Sequence, residues 1–208
     1  MTTQPDDGID SGVDKATTTY DSSTALVVVD MQNDFADPAG GLYVQGGEDV
    51  VALVNAEITA AHDGGATIVY TQDWHPESTP HFEKDGGTWP VHCVADSWGA
   101  ELHPELDVRG PVVRKGTSGE DGYSGFSERD PVSGEPHPTQ LGTLIPPEVS
   151  RLVVVGLAGD YCVKETALDG VRLDYAVAVP QGLTRFVNLS AGDDDRAVSE
   201  LRAAGVIV

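Results

Sequence analysis

The chain has few basic residues, and this shortage excludes several classes of function. Its 208 residues include 12 Lys and Arg against 34 Asp and Glu, which gives a formal net charge of −22. Nucleic acids and anionic membrane surfaces bind through clustered basic side chains, so the balance argues against both as partners. The sequence also lacks an apolar run near the roughly 20 residues that span a bilayer. Its N-terminal segment has neither the basic start nor the apolar core of a secretory signal.

The acidic excess has two interpretations. It fits binding of a basic partner, and it also fits the solvated acidic surface that keeps halophilic proteins soluble in concentrated salt. Lysine is scarce, and this scarcity favours the second interpretation. The lysines are Lys15, Lys84, Lys115 and Lys164. We therefore expect a halophilic, salt-adapted surface.

Cysteine is scarce as well. Cys93 and Cys162 are the only two, which is too few for a disulfide framework. With no signal peptide in the sequence, we expect the protein in the reducing cytoplasm. Each cysteine is then either a small buried hydrophobic residue or a reactive thiol.

Apolar runs alternate with amphipathic segments after an acidic start. Residues 1–23 are expected to form a disordered tail, and 24–208 one domain. Strands are predicted at 25–29, 66–71, 112–114, 151–156, 175–179 and 205–208. Helices are predicted at 49–62, 139–144, 160–170 and 193–204, with a loop at 116–138. The alternation predicts an α/β fold, a single-domain Rossmann-like three-layer sandwich with a six-stranded, mostly parallel sheet flanked by helices.

Polar residues follow the predicted strands. Asp30 follows the first strand, Asp73 and His75 end or follow the second, Lys115 follows the third, and Cys162 lies just past the fourth. Ligands of open parallel sheets bind beyond the carboxyl ends of the strands. We therefore expect an acid, candidate metal ligands, a base and a thiol to lie together at the carboxyl edge of the sheet.

Cys162 is a candidate nucleophile. A thiol is mostly protonated at neutral pH and needs help to react. The start of a predicted helix favours the thiolate, Asp30 can take its proton, and Lys115 can stabilise both anions. The structural alternative is that Cys162 is a buried small residue, Asp30 caps a turn and Lys115 lies on the surface. Residue type and spacing alone leave both interpretations open.

Four candidate metal ligands lie within 20 residues: Asp73, His75, His81 and His92. In an extended segment, residues two apart point to the same side, so Asp73 and His75 can face one ion. His81 and His92 can reach it through a loop. One carboxylate with two or three imidazoles suits Zn²⁺, Fe²⁺ or Mn²⁺. The alternative is an exposed polar loop without metal, but the density of ligands favours the metal site.

Small residues and aromatic side chains accompany these groups. The segment 156–163, GLAGDYCV, allows close backbone approach, and N–H groups at a helix start can line an oxyanion hole. Phe35, Trp89 and Tyr123 each stand beside a candidate site residue and could sandwich a flat ring. Each of these features, taken alone, is explained equally well by ordinary packing.

Five segments in their order resemble the isochorismatase-like cysteine hydrolases, and within them the nicotinamidase/pyrazinamidase group. The resemblance covers about residues 24–208. The matching segments are VVVDMQNDF (27–35), TQDWHPESTPHF (71–82), WPVHCV (89–94), VRKGTSGEDGYSGF (113–126) and VVVGLAGDYCV (153–163). The pair of DxH and WPxHC segments separates nicotinamidases from relatives without metal.

The resemblance implies the isochorismatase-like hydrolase fold and a metal-dependent cysteine amidohydrolase. Such an enzyme converts nicotinamide, and also pyrazinamide, to the acid and ammonia through a thioester, as part of NAD salvage. Asp30 would be the general base, Lys115 its cationic partner and Cys162 the nucleophile. The N–H groups of Ala158 and Cys162 would form the oxyanion hole, after a cis peptide at Leu157–Ala158.

The same resemblance implies one divalent metal ion, with zinc first and iron or manganese as alternatives. Asp73, His75 and His92 would bind it, and His81 matches a further ligand of some members. Phe35 and Trp89 match positions that stack on the pyridine ring, and Tyr123 would close the pocket. Gly159 departs from the pattern, since many members have Thr or Ser there.

Three alternatives remain. Another small-amide or carbamoyl hydrolase of this family usually lacks the metal cluster, so metal content separates the two. Isochorismatase itself lacks the cysteine nucleophile, and Cys162 argues against it. A non-catalytic protein of the same fold would show no enhanced reactivity at Cys162. Nicotinamide is the expected small-molecule partner, and a homo-oligomer is compatible with the sequence.

Overall fold

The computed structural model describes residues 19–120 and 122–208 and has a parallel sheet between two layers of helices. Its elements are β1 Thr24–Val29, α1 Asn33–Ala36, α2 Gly47–Asp63, β2 Thr67–Asp73, β3 Val112–Lys115, β4 Ser127–Arg129, β5 Pro136–Pro138, α3 Leu141–Leu144, β6 Arg151–Leu157, α4 Cys162–Arg172, β7 Ala176–Ala178, β8 Thr184–Arg185 and α5 Asp193–Ala203. The predicted α/β class and three-layer arrangement are confirmed.

The sheet has the order β3-β2-β1-β6-β7, and β8 pairs with the end of β6. Every pair in it is parallel. β1 lies at the centre, where all six of its residues are buried. A strand covered by helices on both faces needs apolar side chains on both, which explains the continuous run Ala25–Val29.

Alternate residues of β1 point to opposite faces of the sheet. Leu26 and Val28 pack against α2, which contributes Val50, Val54 and Ile58 at helical spacing. The other face is covered by α3, α4 and α5. Its buried residues include Ala25, Val27, Val29, Leu141, Val163, Ala167 and Leu201. Two separate hydrophobic clusters therefore hold the sheet in place, and they thereby fix the positions at which its strands end.

The sixth strand is not the one that the sequence predicts. Residues 205–208 form no strand, and Ile207 makes only one isolated bridge, to Ala178. The sixth strand is β8, whose Thr184 and Arg185 pair with the end of β6. β7 pairs only with the first three residues of β6. The end of β6 is therefore free to pair with a second short segment. The sequence does not reveal β8, because two residues are too few to show the alternation of a strand.

The predicted loop 116–138 contains an antiparallel hairpin of β4 and β5. Asp130 organises its turn, because its Oδ1 accepts the N–H groups of Val132 (2.9 Å) and Ser133 (2.7 Å). The strands have three residues each and no alternation of apolar side chains. Turn residues therefore dominate the sequence pattern and conceal the hairpin.

Part of the predicted N-terminal tail packs on the domain. The Tyr20 side chain is buried, and its hydroxyl donates a hydrogen bond to Glu57 in α2 (2.6 Å). The carbonyl of Ser23 accepts the N–H groups of Ser150 and Arg151. The folded unit thus begins before the expected boundary at residue 24. The rest of that tail, 1–18, lies outside the described residues.

Candidate active site

The carboxyl ends of neighbouring strands bring four polar side chains together. Asp30 directly follows β1 with a positive φ of 48°, while Asp73 ends β2 and Lys115 ends β3. Cys162 is the first residue of α4, five positions beyond the end of β6. All four are buried. The site therefore lies at the edge where open parallel sheets bind their ligands.

Lys115 is the centre of this group. Its Nζ lies 2.8 Å from Asp30 Oδ2 and 3.7 Å from Cys162 Sγ, and it also contacts Asp73 Oδ1. Atoms of Asp30, Asp73 and Cys162 all lie within 4.8 Å of one another. Asp30 Oδ1 accepts a further hydrogen bond from the Thr71 hydroxyl at 2.6 Å. One buried cation thus faces two carboxylates and a thiol.

Burial sets the protonation of these groups. It raises the pKa of Asp30, against the opposing effect of Lys115. Burial also raises the pKa of Cys162 well above its usual value, and Lys115 again opposes it. The helix start that should favour the thiolate is outweighed by loss of solvent. Cys162 therefore rests as a thiol, with a carboxylate beside it that can receive its proton.

The turn between β6 and α4 presents backbone N–H groups. The Leu157–Ala158 peptide is cis. The carbonyl of Ala158 accepts the N–H groups of Tyr161 and Val163, which draws the turn tightly around Cys162. In the part of the chain that the structure describes, no backbone carbonyl accepts the N–H of Ala158 or Cys162. Both donors can therefore serve a ligand.

Three histidines cluster beside this buried group of four side chains. Nitrogen atoms of His75, His81 and His92 lie within 4.8 Å of one another, and Asp73 Oδ2 lies 3.8 Å from His75 Nε2. Burial lowers the pKa of His75 to about 4 and also lowers the pKa of His92. Metals bind the neutral imidazole, which is the form that these sites favour. The structure thus brings the three predicted histidine ligands together and places Asp73, the fourth, beside His75.

Two details test whether a metal ion fits there. Both ring nitrogens of His75 are buried without a hydrogen-bond partner among the described residues. Buried polar atoms are normally paired, so an unpartnered imidazole suits a coordinated ion. His92 Nδ1 lies 2.7 Å from the carbonyl of Pro90, an arrangement that leaves Nε2 for the ion. Three imidazoles and a carboxylate therefore fit a divalent transition metal.

A cavity joins the thiol to the histidines. Phe35, Trp89 and Tyr123 line it, as the sequence predicts, and the Trp89 indole N–H donates to the Tyr123 hydroxyl at 3.1 Å. The Phe35 ring lies 5.5 Å from the ring of His92. The cavity can hold a flat ring with one edge at Cys162 and another at the histidines.

The comparisons with known proteins agree with this geometry. A family model described as the isochorismatase domain matches residues 24–208. The chain belongs to the isochorismatase family. Within that family it resembles the nicotinamidase of Escherichia coli K12, with 36% identity over 200 residues that cover 87% of this chain and 92% of the relative.

Solved structures of the family are equally similar. PnC1 from L. infantum, solved in complex with nicotinate, has a TM-score of 0.81 and 37% identity, covering 91% of this chain and 93% of its own. The pyrazinamidase of Pyrococcus horikoshii, solved in complex with zinc, has a TM-score of 0.77 and 34% identity over 89% and 97%. The similarity extends over almost the whole family domain.

The sequence did not reveal part of the wall of this cavity. The Tyr161 ring lies 4.9 Å from Trp89 and 5.2 Å from Tyr123, and so completes an aromatic wall. The only signal in the sequence was its place directly before Cys162. The remaining apolar wall combines Leu157, from the segment 153–163, with side chains from segments that no motif marks. It consists of Leu42, Val44, Leu157 and Val187.

Proposed function

We propose that this protein is a nicotinamidase, which hydrolyses nicotinamide to nicotinate and ammonia through a thioester on Cys162. One observation carries the proposal. A single cavity is lined by Cys162, beside which Asp30 and Lys115 lie buried, and by the four candidate metal ligands. A small carboxamide with a ring nitrogen has one group for the thiol and one for the metal site.

Asp30 and Cys162 perform the proton transfers. Asp30 takes the proton of the Cys162 thiol, and the thiolate attacks the carboxamide carbon. Lys115 remains a cation beside both groups, since Asp30 and Asp73 outweigh burial and raise its pKa well above the usual value. It thereby stabilises the negative charge both on the Asp30 carboxylate and on the Cys162 thiolate. Atoms of Asp30 and Cys162 already lie within 4.8 Å of each other, which places the base beside the thiol.

The tetrahedral intermediate places negative charge on the former carbonyl oxygen. The N–H groups of Ala158 and Cys162 stabilise that oxygen, at about 3 kcal/mol per donor. Asp30 then gives its proton to the departing nitrogen, ammonia leaves, and the carbon–nitrogen bond breaks. Asp30 next takes a proton from a water that attacks the thioester. The carbon–sulfur bond breaks, the departing thiolate takes this proton back from Asp30, and the acid leaves as nicotinate after losing its own proton to water.

Asp73, His75, His81 and His92 would hold one divalent ion. When bound, such an ion supplies a Lewis-acidic site for the pyridine nitrogen. We propose zinc, with iron and manganese as alternatives that the same ligands accept. Asp73 also contacts Lys115, so one carboxylate connects the two halves of the site.

Phe35, Trp89 and Tyr123 would orient the pyridine ring by stacking. Tyr161 adds a fourth aromatic side chain to the same cavity. Pyrazinamide, a flat ring with the same carboxamide and with ring nitrogens, is expected to be a second substrate.

The cellular setting follows from the product. Nicotinate production belongs to NAD salvage, and we propose a cytoplasmic location for it. Over the described residues, no helix is both long enough and apolar enough to cross a bilayer. The halophilic surface stays a prediction from the net charge of −22. Comparing activity in molar KCl with activity in dilute buffer would test it.

The test of the function is release of ammonia and nicotinate from nicotinamide by the purified protein, with a ureido compound as the competing substrate. We expect hydrolysis of nicotinamide that depends on Cys162. Hydrolysis of the ureido compound alone would assign the chain to the carbamoyl hydrolases of the family. Hydrolysis of neither, with zinc restored and in high salt, would overturn an amidase function.

A further inference from the structure

Asp34 is a buried carboxylate that the reaction does not use. It is only 9% exposed and lies in α1. Its Oδ1 accepts the N–H of Gly41 at 2.7 Å, and its Oδ2 accepts the N–H of Cys93 at 2.6 Å. No lysine or arginine pairs with it among the described residues. Its charge is therefore balanced by backbone donors, and such charge-assisted bonds are short and strong.

The Cys93 backbone joins two of the metal ligands. Its N–H belongs to the peptide that follows His92, and its carbonyl accepts the N–H of His75 at 2.9 Å. Cys93 also has a positive φ of 46°, which a residue with a side chain seldom adopts. An acceptor for the N–H is what holds the peptide in this orientation.

The surroundings leave the Asp34 carboxylate one orientation. A Cβ on Gly99 would lie 2.1 Å from Oδ2, and a Cβ on Gly41 would lie 3.3 Å from Oδ1. The backbone N–H of Asp34 also donates to the carbonyl of Gly99 at 3.0 Å. Glycine at both positions thus lets the backbone close around the carboxylate, which cannot turn away from Cys93.

We propose that Asp34 is a positioning residue for the metal site, which fixes His92 and His75 through the Cys93 peptide. The inference rests on the metal site of the proposed function, but it concerns affinity for the metal and not the chemistry of the thiol. Partners behind the ligands of a metal commonly change its affinity about 10- to 100-fold. Asp34 acts one step further back, through the backbone.

The test is the affinity for Zn²⁺ alone, measured by competition with a coloured chelator, for the wild type and Asp34→Asn. Asparagine keeps the size of the side chain but replaces one acceptor oxygen with a donor. Asp160→Asn is the matched control, because Asp160 is also buried and accepts two backbone N–H groups, from Val187 and Asn188 at 2.9 Å each. Those two amides lie outside the metal-binding segments.

We expect Asp34→Asn to bind Zn²⁺ about 10-fold to 100-fold more weakly, while Asp160→Asn keeps the wild-type affinity. Saturating zinc should return most of the kcat of Asp34→Asn, since the thiol and its base are untouched. Equal zinc affinity in Asp34→Asn and the wild type would overturn the inference. So would an equal loss in both variants, because a general loss of stability would then explain it.

One outcome separates this inference from the proposed function. A wild type that binds zinc but does not hydrolyse nicotinamide would overturn the function and leave the affinity comparison valid. If Asp34→Asn does not fold, Gly99→Ala presses on the same carboxylate from outside. A folded Gly99→Ala protein with unchanged zinc affinity would then overturn the inference.

Discussion

The Gln32 side chain makes both backbone hydrogen bonds of Asp73. Its Nε2 donates to the Asp73 carbonyl, and its Oε1 accepts the Asp73 N–H, each at 2.7 Å. The amide thus acts as a short piece of neighbouring strand beyond the end of β1. It fixes the backbone of a residue that faces both Lys115 and His75.

Gln32→Leu should destabilise the protein more than an exposed substitution of the same kind. Two buried backbone groups of Asp73 would lose their partners, at about 1–3 kcal/mol each. Urea unfolding measures the loss, and Gln45→Leu, at an exposed position, is the control. A loss no larger than that of the control would mean that water replaces the amide.

Cys162→Ala should abolish turnover and leave the fold and the metal site intact. The side chain is small and buried, and its removal opens only a minor cavity. Loss of an activated nucleophile lowers kcat by about 10⁴-fold or more. Initial rates of ammonia release measure this, with circular dichroism and zinc affinity as controls. Activity near the wild-type rate would end the thioester mechanism.

Much of the site could be predicted because long apolar strands end in polar residues. Asp30 follows and Asp73 ends a strand that is buried almost throughout, while Lys115 ends the shorter β3, in which exposed and buried residues alternate. Parallel pairing puts these strand ends side by side. The five segments then connected these positions to the isochorismatase family. What the sequence shows well is therefore where the chain leaves the sheet and which chemistry it carries there.

Other features depend on tertiary contacts that have no local pattern. Gln32 meets Asp73 only because β1 and β2 pair in one register, and the polar type of residue 32 does not reveal a partner 41 positions away. Tyr161 reaches the cavity because the tight turn at Ala158 directs it there. β8 is two residues long and pairs only where β7 leaves the edge of β6 open.

Removal of the metal should stop turnover and lower thermal stability together. A ligand that binds only the native state, at a free concentration about 100 times its Kd, adds about 2.7 kcal/mol to the free energy of unfolding. We expect a chelator to abolish ammonia release and lower Tm, and zinc, manganese or iron to restore both. His81→Ala should weaken zinc binding if His81 is the fourth ligand. Full activity after chelation would favour the metal-free hydrolases of the family.

Thr71→Val should move the acid limb of kcat/KM to higher pH. The Thr71 hydroxyl stabilises the charged form of Asp30, so its loss raises the pKa of Asp30 beyond the effect of burial. The base acts only when unprotonated, and a higher pKa therefore shifts the onset of activity upward. Lys115 and Asp73, which also face Asp30, are the same in both proteins.

The pH profile of Thr166→Val is the control for this shift. Thr166 is also fully buried, but its hydroxyl accepts the N–H of Gly125 and does not face Asp30. Its acid limb should stay at the wild-type pH. An unmoved limb in Thr71→Val would show that another group sets the onset of activity.

Gly159→Thr should destabilise this chain. A Cβ on Gly159 would lie 2.6 Å from the ring of Phe186, and the Gly159 N–H is held by the Arg185 carbonyl at 2.7 Å. Overpacking of this kind costs about 1–3 kcal/mol. We infer that Phe186 occupies the space that a side chain at position 159 would need.

A double-mutant cycle with Phe186→Leu tests this explanation. The smaller leucine should leave room for a threonine side chain at position 159, so the cost of Gly159→Thr should fall in that background. Urea unfolding of the four proteins measures the coupling, and Gly182→Thr, where a Cβ meets nothing within 4 Å, shows the cost of the change in open space. An equal cost of Gly159→Thr in both backgrounds would mean that the backbone of the turn, and not Phe186, requires glycine.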